Sequence, residues 1–125
     1  IVLDGVYTGT GNRDLNFLGK AITLRSANGP VHCIIDCESG PGTKAHRGFY
    51  FRRNESLSSV LEGFTIINGY SKNPSQGGGA IYCDRSSPTI SDCILRNNRA
   101  WRGGAVYFDN CNPVMQNCKI INNIF

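Results

Sequence analysis

Asp84 and Asp109 are carboxylates 25 residues apart, each following a tyrosine by two positions, Tyr82 and Tyr107. If the two segments are parallel strands stacked in register, the aspartates lie about 5 Å apart on one outward face. A pair at that distance suits the nucleophile and acid of a retaining glycosidase. It also suits the oxygen ligands of a calcium ion, with Asn110 as a further donor. The plainer reading is two turn-capping aspartates bonded to nearby backbone, and the sequence favours it. Tyr82 and Tyr107, with Trp101 and Tyr70, offer flat rings with polar tips on which sugars stack, although a tyrosine column also serves cross-strand packing. His32 and His46 stand alone, without an evident Cys or Ser partner, so no nucleophile–base pair is legible and the catalytic set is empty.

Those residues share a spacing because the chain repeats. Gly78-Gly79-Ala80-Ile81-Tyr82 returns as Gly103-Gly104-Ala105-Val106-Tyr107, and Pro88-Thr89-Ile90-Ser91-Asp92-Cys93 returns as Pro113-Val114-Met115-Gln116-Asn117-Cys118. A fixed period of this size marks a solenoid or a propeller. Apolar runs of three to six residues broken by Gly, Pro, Ser and Asn exclude a helical repeat, and a propeller blade needs about 40–50 residues. One coil of a parallel β-helix fits, with strands over Ala80–Asp84, Thr89–Ser91 and Cys93–Arg96, and the next coil about 4.8 Å above.

In-register stacking predicts inward columns of Ile81 over Val106, Ile90 over Met115, Cys93 over Cys118 and Leu95 over Ile120. It also predicts an asparagine ladder through Asn68, Asn97 and Asn122, whose amides satisfy backbone groups at a turn. The Gly-Gly pairs supply positive φ there.

Gly-Gly-Ala-Ile-Tyr-Cys, Ser-Pro-Thr-Ile-Ser-Asp-Cys and Arg-Asn-Asn resemble the repeats of secreted bacterial right-handed β-helix proteins of the pectate-lyase-like superfamily. Upstream, Gly19–Ser26, Ile34-Ile35-Asp36 and Leu61–Gly69 are similar to the irregular first coils of that group. The resemblance implies an all-β, right-handed parallel β-helix of about four to five coils. It implies a fold more than an activity, since the superfamily hosts lyases, hydrolases, epimerases, adhesins and structural proteins. Its sugar-acting members use carboxylates, a basic residue and often calcium on an outward strand face. Their catalytic patterns, such as Asp-Pro-His, are absent here.

At 125 residues the chain suits one domain, with irregular coils over 1–77 and regular coils over 78–125. No segment approaches the roughly 20 apolar residues of a membrane helix. The formal charge of +4 is mild and scattered, so nucleic acid is not expected as a partner. Six cysteines suit an oxidising compartment and a secreted or surface location. Cys93 and Cys118 fall within disulfide range if stacked, while a column of free thiols is the open alternative; Cys33 and Cys37 lack the second ligand pair of a zinc site.

Ile1-Val2-Leu3 reads as a strand, followed by strands over Lys20–Arg25, Val31–Asp36 and Gly48–Arg52, with Tyr70–Gln76 inserted before the regular coils. The helix that caps such proteins is missing before Ile1, and no polar cap precedes Phe125. Bare ends template pairing with another chain. The expected partners are therefore copies of the chain stacked end to end, or further coils of a longer chain. The function expected is a non-enzymatic extracellular structural or adhesin-like module. The alternative is a polysaccharide-binding or polysaccharide-active module.

Overall fold

Runs this short allow each strand only two to four residues before a turn, and the computed structural model, which describes residues 1–124, is built of fifteen such strands. A lone strand β1 (Gly5–Tyr7) comes first. The first coil contains β2 (Leu15–Asn16), β3 (Thr23–Arg25) and β4 (Cys33–Asp36), and the second β5 (Phe49–Phe51), β6 (Val60–Glu62) and β7 (Thr65–Ile67). After β8 (Tyr70–Ser71), the third coil contains β9 (Ile81–Asp84), β10 (Thr89–Ser91) and β11 (Ile94–Arg96). The fourth, after β12 (Arg99–Ala100), contains β13 (Val106–Asp109), β14 (Val114–Gln116) and β15 (Lys119–Ile121).

Equivalent strands stack into three long sheets, in the orders β2-β5-β9-β13, β3-β6-β10-β14 and β1-β4-β7-β11-β15, with β8 and β12 forming a short fourth. Every pairing is parallel, and Ile81 pairs with Val106, Ile90 with Met115 and Leu95 with Ile120, the columns expected from the repeat. Alternation along each strand sends one set of side chains inward. Leu61, Ile66, Ile81, Ile90 and Leu95 are wholly buried. Phe17, Phe49 and Phe51 fill the core of the early coils, with Phe49 and Phe51 stacked at 6.2 Å.

The early strands are shorter than the sequence suggests because turns consume their first residues. Lys20 donates its N–H to the Phe17 carbonyl and His32 to the Gly29 carbonyl. Strands therefore begin only at Thr23 and Cys33. Val2 makes a single bridge to Ser26 and no strand forms over residues 1–3.

The asparagine ladder is displaced by one residue from the expected column. Asn68, Asn97 and Asn122 occupy one corner with φ of 55°, 58° and 53°, the left-handed conformation that asparagine tolerates better than most residues. That conformation leaves Asn97 and Asn122 exposed. The next residue turns inward instead. Asn98, fully buried, donates from Nδ2 to the Ile66 carbonyl (3.0 Å) and to Asn123 Oδ1 (3.0 Å), and accepts from the Gly69 N–H (2.8 Å). Asn123 repeats the pattern, donating to the Leu95 carbonyl at 2.8 Å.

The glycine pairs divide their labour. Gly78 has a φ of 73°, whereas a Cβ on Gly79 would meet the Gly104 carbonyl oxygen at 2.5 Å. One glycine is needed for conformation and the other for close approach of successive coils. A buried carboxylate bolts three coils together: Glu55 accepts from the backbone N–H groups of Arg53 (2.7 Å) and Gly19 (3.4 Å) and from Ser86 Oγ (2.8 Å). Multiple donors of this kind compensate a buried charge.

Candidate functional site

The sheet β2-β5-β9-β13 turns its alternate residues outward, and register sets Tyr82 on Tyr107 and Asp84 on Asp109. Tyr50 lies against Tyr82 one coil earlier. The Tyr82 and Tyr107 rings stack at 6.1 Å with 2° between planes, and Tyr50 meets Tyr82 edge-on at 6.1 Å. The tyrosine column is therefore real, but Tyr82 is only 4% exposed and is not a free platform for a sugar. Its neighbours cover both ring faces. Burial, then the charges of Asp84 and Asp109, push the Tyr82 hydroxyl above its usual pKa.

The residue that organises this face is Arg47, which the sequence reading passed over. It is 4% exposed, with its guanidinium 4.8 Å from the Tyr50 ring centroid and 5.1 Å from that of Tyr82. Nε donates to the Gly78 carbonyl (2.7 Å), Nη1 to Tyr50 Oη (2.6 Å), and Nη2 to Ser71 Oγ (2.6 Å) and the Gln76 carbonyl. Arg52 covers the Tyr50 ring as well, at 4.7 Å. Arg47 thus ties the 70–76 insertion to the second and third coils. It sits at the end of a loop, outside the repeat, so no periodic signal marks it.

The two aspartates adjoin as the repeat requires, but each is engaged locally. Asp84 accepts two hydrogen bonds from Arg85, at 3.0 and 3.1 Å, and Asp109 accepts one from Asn110 at 3.1 Å. Arg85 and Asn110 hold φ of 48° and 52°, so both aspartates end their strands at a left-handed corner. Among the described residues, no cluster of three or more His, Cys, Asp or Glu side chains is placed to hold a metal.

His46, expected to stand alone, has a partner distant in sequence. Its Nδ1 lies 2.6 Å from Asp14 Oδ2, while Asp14 Oδ1 accepts the Arg47 N–H at 2.8 Å. Asp14 thereby fastens the start of the first coil to the start of the second. A loop-to-loop pair of this kind has no periodic signature.

Trp101, unlike Tyr82, is open to solvent at 67% exposure. It lines a cleft of about 250 Å³ with Tyr70, Arg99 and Pro41, where β8 and β12 pair Tyr70 with Arg99. The aromatic and basic side chains gathered there are of the kind that contact sugars.

The six cysteines are free thiols in this structure. Cys93 and Cys118 share the expected column, adjoining the Ile94–Lys119 pair. Cys93 is fully buried, and the hydrogen bond to Cys118, together with burial, raises its pKa. The same bond lowers that of Cys118.

No curated protein and no solved structure is significantly similar to the chain. A family model described as a right-handed beta helix region matches residues 10–125. The four stacked parallel coils and this match agree, and the chain belongs to the right-handed β-helix family.

Proposed function

We propose that the chain is a non-enzymatic structural module, adhesin-like and displayed outside the cell, whose coils extend by end-to-end stacking on a second copy. The observation that carries this reading is the last coil. Among the described residues, β13, β14 and β15 each pair on one side only. The cross-section beside them is apolar: Val106, Met115 and Ile120, the last 53% exposed, stand on the wholly buried Ile81, Ile90 and Leu95. At the other end, Ile1, Leu3 and Val6 are also exposed. Strand edges beside an open core are templates for another strand layer. Two different ends that fit each other make a heterologous contact, which grows rather than closes. The cysteine content supports an oxidising compartment.

Light scattering across a concentration series tests this. A mass that grows with concentration is expected; a monomer at every concentration overturns self-stacking and leaves further coils of a longer chain as the cover.

The Trp101 cleft favours a second reading, a polysaccharide-binding module. Trp101 is the only tryptophan in the chain, so its fluorescence reports on the cleft directly. Titration with acidic polysaccharide, with and without calcium, should shift the emission if this reading holds. An unchanged spectrum rejects it.

A further inference from the structure

Four of the six cysteines fall into two pairs, each joining the third coil to the fourth. Cys83 and Cys111 converge on one residue: Cys83 Sγ donates to the Ser86 carbonyl at 3.0 Å, and Cys111 Sγ accepts from the Ser86 N–H at 3.5 Å. Cys93 and Cys118 converge likewise, Cys93 Sγ donating to the Ser91 carbonyl at 3.2 Å and Cys118 Sγ to the neighbouring Ile90 carbonyl at 3.6 Å. Cys93 and Cys118 immediately precede the paired Ile94 and Lys119 of two adjacent parallel strands, with the Lys119 N–H donating to the Cys93 carbonyl, and a strand spacing of about 4.8 Å is inside the range a disulfide spans. The exposure is asymmetric in both pairs: Cys83 and Cys93 are fully buried, Cys111 and Cys118 partly open.

We propose that Cys83–Cys111 and Cys93–Cys118 are two dithiol clasps that oxidise to disulfides and lock the fourth coil onto the third. The oxidant is a small-molecule disulfide. The Cys118 thiolate attacks one of its sulfurs, breaking the external S–S bond and releasing one thiolate. Cys93 then loses its proton and attacks the Cys118 sulfur, expelling the second thiolate. Two protein thiols thus become one disulfide while the external disulfide leaves as two thiols. Cys111 and Cys83 take the same two roles in the other pair. The hydrogen bond from Cys93 favours the Cys118 thiolate, the form that attacks. A metal is a poorer occupant, because each pair offers two ligands where zinc takes four.

Cys33 and Cys37 lie in the first coil, wholly buried, and burial pushes the Cys37 thiol up to about 12. They should remain thiols.

The test is oxidation of the native chain with excess oxidised glutathione, followed by tryptic mapping under non-reducing conditions. Peptides 73–85 and 86–96 hold Cys83 and Cys93 separately, while 103–119 holds both Cys111 and Cys118. The expected map joins both shorter peptides to 103–119, with Cys33 and Cys37 free and the melting temperature raised. Cys111→Ser should keep only the link to 86–96, and Cys118→Ser only the link to 73–85; circular dichroism verifies that both variants fold. Links to Cys33 or Cys37, crossed pairing in the variants, or glutathione adducts without internal links would overturn the proposal.

Discussion

Asn98 is the side chain on which the corner between coils depends. It is completely buried and its amide is used from both ends, as donor to the Ile66 carbonyl and acceptor from the Gly69 N–H. Removing it strands buried backbone groups, each worth about 1–3 kcal/mol. Asn98→Ala should therefore destabilise by roughly 2–4 kcal/mol in denaturant titration. Asn98→Asp should be worse, since it keeps the acceptor but sets an anion against the Ile66 carbonyl. Its neighbour Asn97 is exposed with a φ of 58°, so Asn97→Gly should leave stability unchanged or slightly raised. If Asn97→Gly unfolds the chain while Asn98→Ala does not, the ladder has been assigned to the wrong residue. The Asn-Asn doublet announces a ladder in the sequence, but which of the two turns inward is decided by the left-handed φ of the first. Periodicity alone does not report that angle.

A strand here is only two to four residues long and gains its stability from the columns above and below. Ile90 in β10 is wholly buried and lies between Leu61 of β6 and Met115 of β14. Ile90→Asp would put an uncompensated charge in the middle of that column. The expected outcome is loss of the β-sheet circular dichroism signal at room temperature, and an unchanged spectrum would remove Ile90 from the core. Such columns were legible because the regular coils repeat every 25 residues and a parallel stack turns sequence phase into spatial register. The early coils were less legible. Phe49 sits 32 residues before its partner Ile81, not 25, while Val60 sits 29 before Thr89 and Tyr70 29 before Arg99, so the extra length is split between the β5–β6 loop and the segment between β8 and β9. Arg47 holds the 70–76 insertion, and long-range bonds from a loop residue leave no phase to read. The same reason hid the His46–Asp14 contact.

For the whole molecule, a solenoid has two ends that differ, and a contact between them repeats without closing. The last coil presents Ile120 at 53% exposure directly above Leu95, which is fully buried. A further coil would therefore meet an apolar column already in register. Continuity of that column distinguishes stacking from ordinary surface stickiness. Ile120→Lys places a charge in the cross-section that a second copy must cover, while within one molecule the side chain still reaches water; charged residues at strand edges block pairing in this way. The variant should melt within a few degrees of the parent and yet stay monomeric over the concentration range where the parent grows in light scattering. A lysine on the second coil, which is covered on both sides, at Leu57 (51% exposed), should leave the growth intact. If both lysines suppress assembly equally, the contact is a general hydrophobic one, and the end face has no special part in it.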